Sequence, residues 1–281
     1  VATPQAAGMQ GAGEDEQIQR EVWTGAVPVV LNLARDEVAT PQAPEPYFLL
    51  APRNGYLPLQ AMQSAQHFLS SAPAHSQEMW LEIASHQVPA KWNLPTGVLY
   101  DLWGEGGKDL PWAVTVHFTN FPAKMLRCGS EEAVRAHYMS NLKEANYLKH
   151  GDGAKVNSLS VESQTDLWDG LRLEKYEQFW KVHRQLEATV QKIKSVPVRF
   201  VRRNLPFVQL PLSALSEEGN LKTLGEALVE ALPKQFPSAD ELEAGTQVLV
   251  QGVAPALETP LAWLAYHCCH PDNFLYVVIR S

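Results

Sequence analysis

The chain is poor in cysteine, with three in 281 residues, and two of these, Cys268 and Cys269, are adjacent. Neighbouring cysteines rarely bridge, because disulfide geometry is hard to satisfy across one peptide bond. An odd number that includes such a pair excludes a disulfide framework. The cysteine content therefore indicates a reducing, cytoplasmic environment.

Long hydrophobic runs and basic runs are also missing. The longest apolar runs, such as residues 27–31, are far too short to cross a bilayer. Residues 1–17 contain neither the basic nor the apolar part of a secretory signal, so we predict a disordered lead-in over residues 1–16. The net charge of −8 without a basic stretch argues against nucleic-acid binding, which depends on Lys and Arg contacts to phosphate.

Motifs for catalysis and for metal binding are absent as well. None of the patterns G-x-S-x-G, H-E-x-x-H, G-x-x-x-x-G-K-[ST] and C-x-x-C occurs. The run HCCH at 267–270 suggests a metal, but ligands adjacent in sequence rarely close a tetrahedral site, so we predict no metal and no cofactor. An enzyme site assembled from scattered residues stays open as an alternative, for example Asp101, His117 and Asp272. Such a site requires a concave pocket that holds titratable groups with shifted pKa values.

The first and last thirds of the chain repeat one order of predicted elements. Apolar alternation and turn residues predict strand, strand, helix, strand, short helix and strand in both thirds. The predicted strands are 26–33, 46–51, 79–83 and 112–118, then 196–201, 207–212, 246–251 and 274–279, with helices at 59–69, 95–103, 221–232 and 260–267. This order is typical of the β-grasp, so we predict an α+β protein with two ubiquitin-like domains.

Helical periodicity dominates the middle of the chain. Apolar residues recur at helical spacing over 131–150 and again over 166–194, and the stretch 151–163 between them has no periodicity and is predicted to be flexible. We therefore predict a helix-rich domain over residues 126–194. It separates a first ubiquitin-like domain over 17–125, which begins with a short helix at 17–23, from a second over 195–281.

Lys143 lies on the predicted helix 131–150. At about 100° per residue, one direction of that helix collects the apolar residues Val134, Tyr138, Leu142, Ala145 and Leu148 within about 80°. Lys143 lies about 180° away, so we predict that it faces water; Met139 and Tyr147, one turn before and after it, lie within about 40° of Lys143. This arrangement is typical of a presented amine with a docking surface. On spacing alone, a solubilising lysine on a helix with a wide apolar face is the simpler interpretation, because any surface helix shows a charge opposite its apolar face.

Eleven segments, in order along nearly the whole chain, resemble the autophagy protein 5 family. They are VWTGAVP (22–28), EPYFLL (45–50), KWNLPTG (91–97), LPWAVTVHF (110–118), MSNLKEA (139–145), LWDGL (167–171), FW (179–180), LKTLG (221–225), QGV (251–253), LETPLAWL (257–264) and HPDNFL (270–275). No single segment is decisive, but their number and order make the resemblance specific.

The resemblance implies two ubiquitin-like domains around a helix-rich domain. It also implies that Lys143 is the isopeptide acceptor for the ubiquitin-like autophagy protein 12; Lys149 is a weaker candidate because it lies nearer the apolar face. The family binds the N-terminal helix of autophagy protein 16 in a groove. The assembled complex promotes transfer of autophagy protein 8 to phosphatidylethanolamine as an E3-like factor without a catalytic residue of its own.

Three further expectations follow from these considerations. The resemblance implies that the complex is recruited from the cytoplasm to the phagophore, where its membrane contact is peripheral. Because grooves form between domains, we expect the partner helix to touch both ubiquitin-like domains. Met139 and Tyr147 are expected to supply a docking surface beside Lys143. An unconjugated ubiquitin-like adaptor, in which Lys143 is never modified, is a second alternative.

Overall fold

Two β-sheets and the helices that pack with them form the part of the chain that the computed structural model describes, residues 12–73, 78–187 and 193–280. Among these residues, no helix combines the length and hydrophobicity that a bilayer crossing requires.

The first sheet has five strands in the order β2-β1-β5-β3-β4. The strands are β1 Ala26–Leu33, β2 Tyr47–Pro52, β3 Trp80–Ile83, β4 Val88–Pro89 and β5 Trp112–His117. β1 and β2 form an antiparallel hairpin, and β1 pairs in parallel with β5. Helices α2, Leu57–Leu69, and α3, Thr96–Trp103, bury apolar residues in the same core as the sheet.

The second sheet repeats this topology with four strands in the order β7-β6-β9-β8. The strands are β6 Ser195–Arg202, β7 Val208–Ser213, β8 Gln247–Leu249 and β9 Leu275–Arg280, and the helices are α8 Leu224–Ala231 and α9 Leu261–Cys268. Again the first two strands form an antiparallel hairpin, and the first strand pairs in parallel with the last. The predicted α+β fold with two ubiquitin-like domains is confirmed.

The described residues contain five further α-helices. They are α1 Ala12–Thr24, α4 Glu131–His150, α5 Ala154–Asn157, α6 Val161–Arg172 and α7 Tyr176–His183. α6 and α7 approach so closely at Gly170 that an added Cβ would lie 2.7 Å from the Phe179 backbone nitrogen. α1 packs on this pair through Trp23, whose ring centroid lies 4.8 Å from that of Phe179. These contacts belong to a buried aromatic core that is separate from the cores of the two sheets.

Three predictions about the helical parts of the chain were wrong in detail. α1 begins at Ala12, so residues 12–16 are helical and only residues 1–11 of the predicted lead-in lie outside the described residues. The stretch 151–163, predicted to be flexible, contains α5 and the start of α6. The N-terminus of α6 is fixed by Ser160, whose side chain accepts a hydrogen bond from the Ser163 backbone nitrogen. The predicted helix 166–194 is two helices, broken where Glu174 takes a φ of 56°; residues 188–192 lie outside the described residues.

The start of α8 was also misplaced. The predicted helix 221–232 begins only at Leu224, and the Leu221 side chain is 52% exposed. Thr223 and Glu226 form a capping box, in which each side chain accepts a hydrogen bond from the backbone N–H of the other residue. This cap ends the extended chain at Thr223 and excludes Leu221 from the helix.

The two ubiquitin-like domains contact each other directly. Arg203 Nε donates to the Leu102 carbonyl at 2.7 Å, and Arg280 donates to the Gly104 carbonyl at the end of α3. Gln251 of the second domain donates to Asn54 of the first at 3.0 Å. Guanidinium groups at a helix C-terminus bind carbonyls that lack partners within the helix. The domains therefore meet through specific polar contacts.

Candidate functional site

The helix α4 presents Lys143 to solvent. Its caps are strong, because the Ser130 side chain accepts from the Ala133 backbone at the N-terminus and Gly151 takes a φ of 81° at the C-terminus. The predicted buried face is confirmed at four of its five positions, which are each 0% exposed: Val134, Tyr138, Leu142 and Ala145. The fifth residue, Leu148, is half-buried. Lys143 on the opposite face is exposed, as predicted.

The other lysine of this helix is in a different environment. Lys149 is only 9% exposed. It lies near the buried carboxyl group of Glu187, and its charge lowers the pKa of that group. An acceptor amine must reach a bulky activated carbonyl, which burial prevents. Within α4, Lys143 is therefore the lysine whose amine a bulky partner can reach.

The two residues that flank Lys143 on its face differ in burial. Met139 is half-buried and packs against the aromatic core of the helical domain. Tyr147 is 59% exposed, although a tyrosine ring buries a large apolar area when it finds a partner. The proposed docking surface is therefore supported better at Tyr147 than at Met139, and the role of both remains a prediction.

Alanine variants separate packing from docking at these positions. We expect Met139→Ala to lower the free energy of unfolding by about 1–2 kcal/mol, because a half-buried methionine loses part of its core contacts. Tyr147→Ala should change it by less than about 0.5 kcal/mol but weaken conjugation. Urea unfolding measures the change in stability, and a conjugation assay measures the change in reaction. Val161, which is 80% exposed in the same domain, supplies the control variant Val161→Ala. A loss of stability at Tyr147 as large as at Met139 would contradict the docking role.

The sequence neighbours of Lys143 are held by the second ubiquitin-like domain. Arg199, on β6, donates to Asn141 Oδ1 at 3.2 Å and to Glu144 Oε2 at 3.3 Å. Gln209, on β7, donates to Glu144 Oε1 at 2.7 Å. Sequence reasoning missed these residues. The signal was a charged residue inside the apolar strand VPVRFV at 196–201, where an arginine needs buried partners.

The residues of the alternative enzyme site do not come together. Asp101 accepts from Arg53, and burial raises the pKa of Asp101 against the lowering effect of that guanidinium. His117 stacks on a tryptophan ring, with centroids 4.0 Å apart. Asp272 accepts from the Tyr276 hydroxyl at 2.8 Å, at the contact with α4. No hydrogen bond joins any two of Asp101, His117 and Asp272 in the described residues, and each has a structural partner of its own.

The HCCH run has structural partners too. His267 Nδ1 donates to the Trp263 carbonyl at 3.0 Å, and Nε2 lies 2.9 Å from Asp15 Oδ1. Burial raises the pKa of the Cys268 thiol to about 12, which disfavours the thiolate that metals bind. Throughout residues 12–73, 78–187 and 193–280, no group of three or more His, Cys, Asp or Glu side chains is placed to hold a metal ion.

A large cleft lies between the two ubiquitin-like domains, with a volume of about 1140 Å³. Its lining comes from three parts of the chain. These are Leu94, Leu99, Leu102 and Trp103 of the first domain, residues 122–125, and Val201, Leu205 and Phe207 of the β6–β7 hairpin. Leu205 is 48% and Phe207 42% exposed. Exposed apolar side chains that line a concave surface are typical of a protein-binding groove.

Comparison with known proteins follows this division of the chain. Sequence models described as the UblA domain, the alpha-helical bundle region and the UblB domain of autophagy protein ATG5 match residues 22–118, 131–188 and 195–279. Autophagy protein 5 of Drosophila melanogaster is 31% identical, over 94% of this chain and 97% of its own length. The chain belongs to the autophagy protein 5 family. The resemblance seen in the sequence segments is thus confirmed.

Other autophagy protein 5 relatives are similar along their length. The protein of Dictyostelium discoideum is 28% identical, over 94% of this chain and 95% of its own length. The crystal structure of Kluyveromyces marxianus Atg5 superposes with a TM-score of 0.77 and covers 94% of this chain and all of that chain. At 21% identity, that structure supports the fold alone. Membership of the autophagy protein 5 family places this protein in autophagy.

Proposed function

We propose that this protein is a non-catalytic scaffold of autophagosome formation, joined through Lys143 to autophagy protein 12. The Lys143 amine attacks the carbonyl carbon of the thioester at the C-terminus of the modifier. The isopeptide C–N bond forms as the C–S bond breaks, and the amine loses a proton while the thiol leaves. The observation that carries the proposal is the exposure of Lys143 in the segment MSNLKEA, on a helix whose other lysine is buried.

Mass spectrometry of the native protein tests this proposal. We expect a branched tryptic peptide in which the C-terminal residues of the modifier are attached to Lys143. A branch at another lysine would move the acceptor site. If no lysine of this chain carries autophagy protein 12 in cells, the result would favour the alternative of an unconjugated adaptor.

The cleft between the two ubiquitin-like domains is proposed to bind the N-terminal helix of autophagy protein 16. The helix would place apolar residues at i, i+3, i+4 and i+7 between the leucines of the first domain and the β6–β7 hairpin. Such a ligand touches both domains, and a ligand that binds only the folded state raises its stability. The apolar residues that both domains contribute to the lining support this binding mode, and the exposed Leu205 and Phe207 offer contact surface.

Two leucines of equal exposure provide a matched test of the cleft. Leu205 and Leu215 both belong to the second domain and are each 48% exposed, but only Leu205 lines the cleft. We expect Leu205→Asp to weaken the binding of the helical peptide by about tenfold or more in calorimetry, because it buries an unpaired charge. Leu215→Asp should bind like the unchanged protein. Equal affinities for both variants would place the partner helix elsewhere.

The complete complex is proposed to act as an E3-like factor at the phagophore membrane. It is recruited from the cytoplasm and contacts the membrane peripherally through its partners. There it promotes transfer of autophagy protein 8 to phosphatidylethanolamine. This chain contributes the exposed amine and the cleft, two attachment points that fix its partners relative to each other, rather than a catalytic residue.

A further inference from the structure

The turn of α4 that carries Lys143 is attached to the second ubiquitin-like domain on both sides of the lysine. Asn141, two residues before Lys143, accepts from Arg199 at 3.2 Å. Glu144, one residue after it, accepts from Arg199 at 3.3 Å and from Gln209 at 2.7 Å. These contacts come from one β-hairpin, in which Arg199 and Gln209 are directly opposite each other. The helix turn is thus fixed to a neighbouring domain as well as to its own core.

Arg199 is itself held rigidly. It is 4% exposed, its Nε donates to Gln209 Oε1 at 2.8 Å, and another nitrogen donates to the Tyr276 hydroxyl at 2.9 Å. Its guanidinium lies 3.5 Å from the centroid of the Phe274 ring. A buried guanidinium with several partners has little freedom to reorient, and its planar fork holds the groups it binds in a fixed geometry.

Asn141 links this arginine to a buried carboxylate. Its Nδ2 donates to Asp272 Oδ2 at 3.3 Å, while its Oδ1 accepts from Arg199. Asp272 is 1% exposed and also accepts from the Phe274 backbone nitrogen at 3.1 Å. Burial raises the pKa of Asp272, and the Arg199 guanidinium opposes this rise. The amide therefore links Arg199 to Asp272, and a movement of α4 that displaced Asn141 would lengthen both hydrogen bonds.

We infer that Arg199 and Gln209 are positioning residues for the acceptor amine of Lys143. The inference rests on the proposed function and extends the acceptor site to the second ubiquitin-like domain. A reaction between an amine and a thioester on another protein requires the two groups to meet in a narrow range of distance and angle. Fixing the turn between Asn141 and Glu144 restricts the positions that the Lys143 backbone, and hence its amine, can occupy.

A pair of substitutions at Gln209 and Glu144 tests this inference without removing the buried arginine. Gln209→Glu removes the donor of the 2.7 Å hydrogen bond and places two carboxylates there. Their repulsion should loosen the contact between the hairpin and α4, while Arg199 still donates to both residues. Adding Glu144→Gln exchanges amide and carboxylate. In the double variant, the carboxylate at position 209 accepts hydrogen bonds from Arg199 and from the amide at position 144. The amide oxygen at position 144 accepts from Arg199. The net charge equals that of the unchanged protein.

We expect Gln209→Glu to lower the maximal rate of conjugation at Lys143 by about fivefold or more, because a displaced reacting atom slows such reactions. The acceptor concentration at half-maximal rate should change little. The double variant should recover at least about half of the rate. Gln247→Glu is the control: it makes the same charge change on β8, at the opposite edge of the same sheet from β7. Full activity of Gln209→Glu would overturn the inference.

Hydrogen–deuterium exchange of α4 amides separates this inference from the proposed function. Gln209→Glu should accelerate exchange at residues 141–147, and the double variant should reverse the effect, whether or not any conjugate forms. If the unchanged protein gives no conjugate at Lys143, the proposed function fails while the exchange data still decide whether the hairpin holds the helix. Unchanged exchange in Gln209→Glu would refute the positioning role even if conjugation proceeds normally.

Discussion

Lys143→Arg is expected to leave a reconstituted conjugation reaction without a product of higher mass. Arginine keeps the positive charge and the helical propensity of lysine, so the exposed turn of α4 should fold unchanged. Its guanidinium remains protonated at every accessible pH and is not a usable nucleophile. The expected effect is therefore complete loss of the conjugate rather than a reduced rate, measured by intact-mass spectrometry and gel electrophoresis.

The same substitution at a second exposed lysine controls for the loss of a surface amine. Lys155 is exposed on α5 of the same domain. Lys155→Arg should give as much conjugate as the unchanged protein. Undiminished conjugation in Lys143→Arg would show that another lysine is the acceptor, and the proposed function would then need a different site.

Glu187→Gln is expected to stabilise the protein at alkaline pH. Burial raises the pKa of Glu187 from 4.5 to about 7, against the opposing charges of Lys149 and Arg184. The shift corresponds to about 3 kcal/mol of stability that is lost on ionisation. His183 Nδ1 lies 3.6 Å away but provides no counter-charge, because burial lowers the pKa of His183 to about 3.

The sign of the pH dependence follows from proton binding. The folded protein holds the Glu187 proton more tightly than the unfolded chain does, so the favourable contribution is complete below about pH 4.5 and disappears as the pH rises through about 7. The amide introduced by Glu187→Gln would mimic the protonated acid at every pH. We therefore expect the variant to exceed the unchanged protein by up to about 3 kcal/mol at about pH 8, and by little at about pH 4.5.

Urea unfolding at several pH values measures this difference. Tyr266 and Cys269 also lie near the carboxyl group, but burial raises the pKa of both, so both stay neutral across this range. His183 and His270, whose pKa values burial lowers to about 3, destabilise both proteins equally as the pH falls. Their contributions cancel in the difference curve. Glu217 is exposed, so Glu217→Gln should change the free energy of unfolding by the same amount at every pH. If Glu187→Gln also gave a difference that does not vary with pH, the charge of Glu187 would be excluded as its cause.

Local patterns in the sequence determined most of the elements and the direction of Lys143. Strand alternation and helical spacing depend on neighbours within a few residues, and the buried face of α4 follows from that spacing alone. The repeated element order was enough to predict two ubiquitin-like domains. The sequence also determines the start of α8, since Thr223-x-x-Glu226 is a capping-box pattern that outweighs the apolar spacing from Leu221.

Helix breaks without Gly or Pro could not be predicted in this way. Glu174 takes a left-handed φ of 56° between α6 and α7, although its sequence surroundings continue the helical spacing. The close approach of the two helices at Gly170 favours this break, because the chain must turn back to bury its aromatic residues. Tertiary packing overrode local propensity at this point.

The exposure of Lys143, the proposed acceptor, was predicted from the sequence, but the contacts that support its helix turn were decided by the tertiary structure. Exposure of Lys143 is a property of one helix, whereas Arg199 and Glu144 are 55 residues apart and meet only when the second sheet packs on α4. The cleft likewise needs both ubiquitin-like domains in contact. Contacts of this kind depend on how whole domains pack, and the periodicity of a single segment carries no information about them.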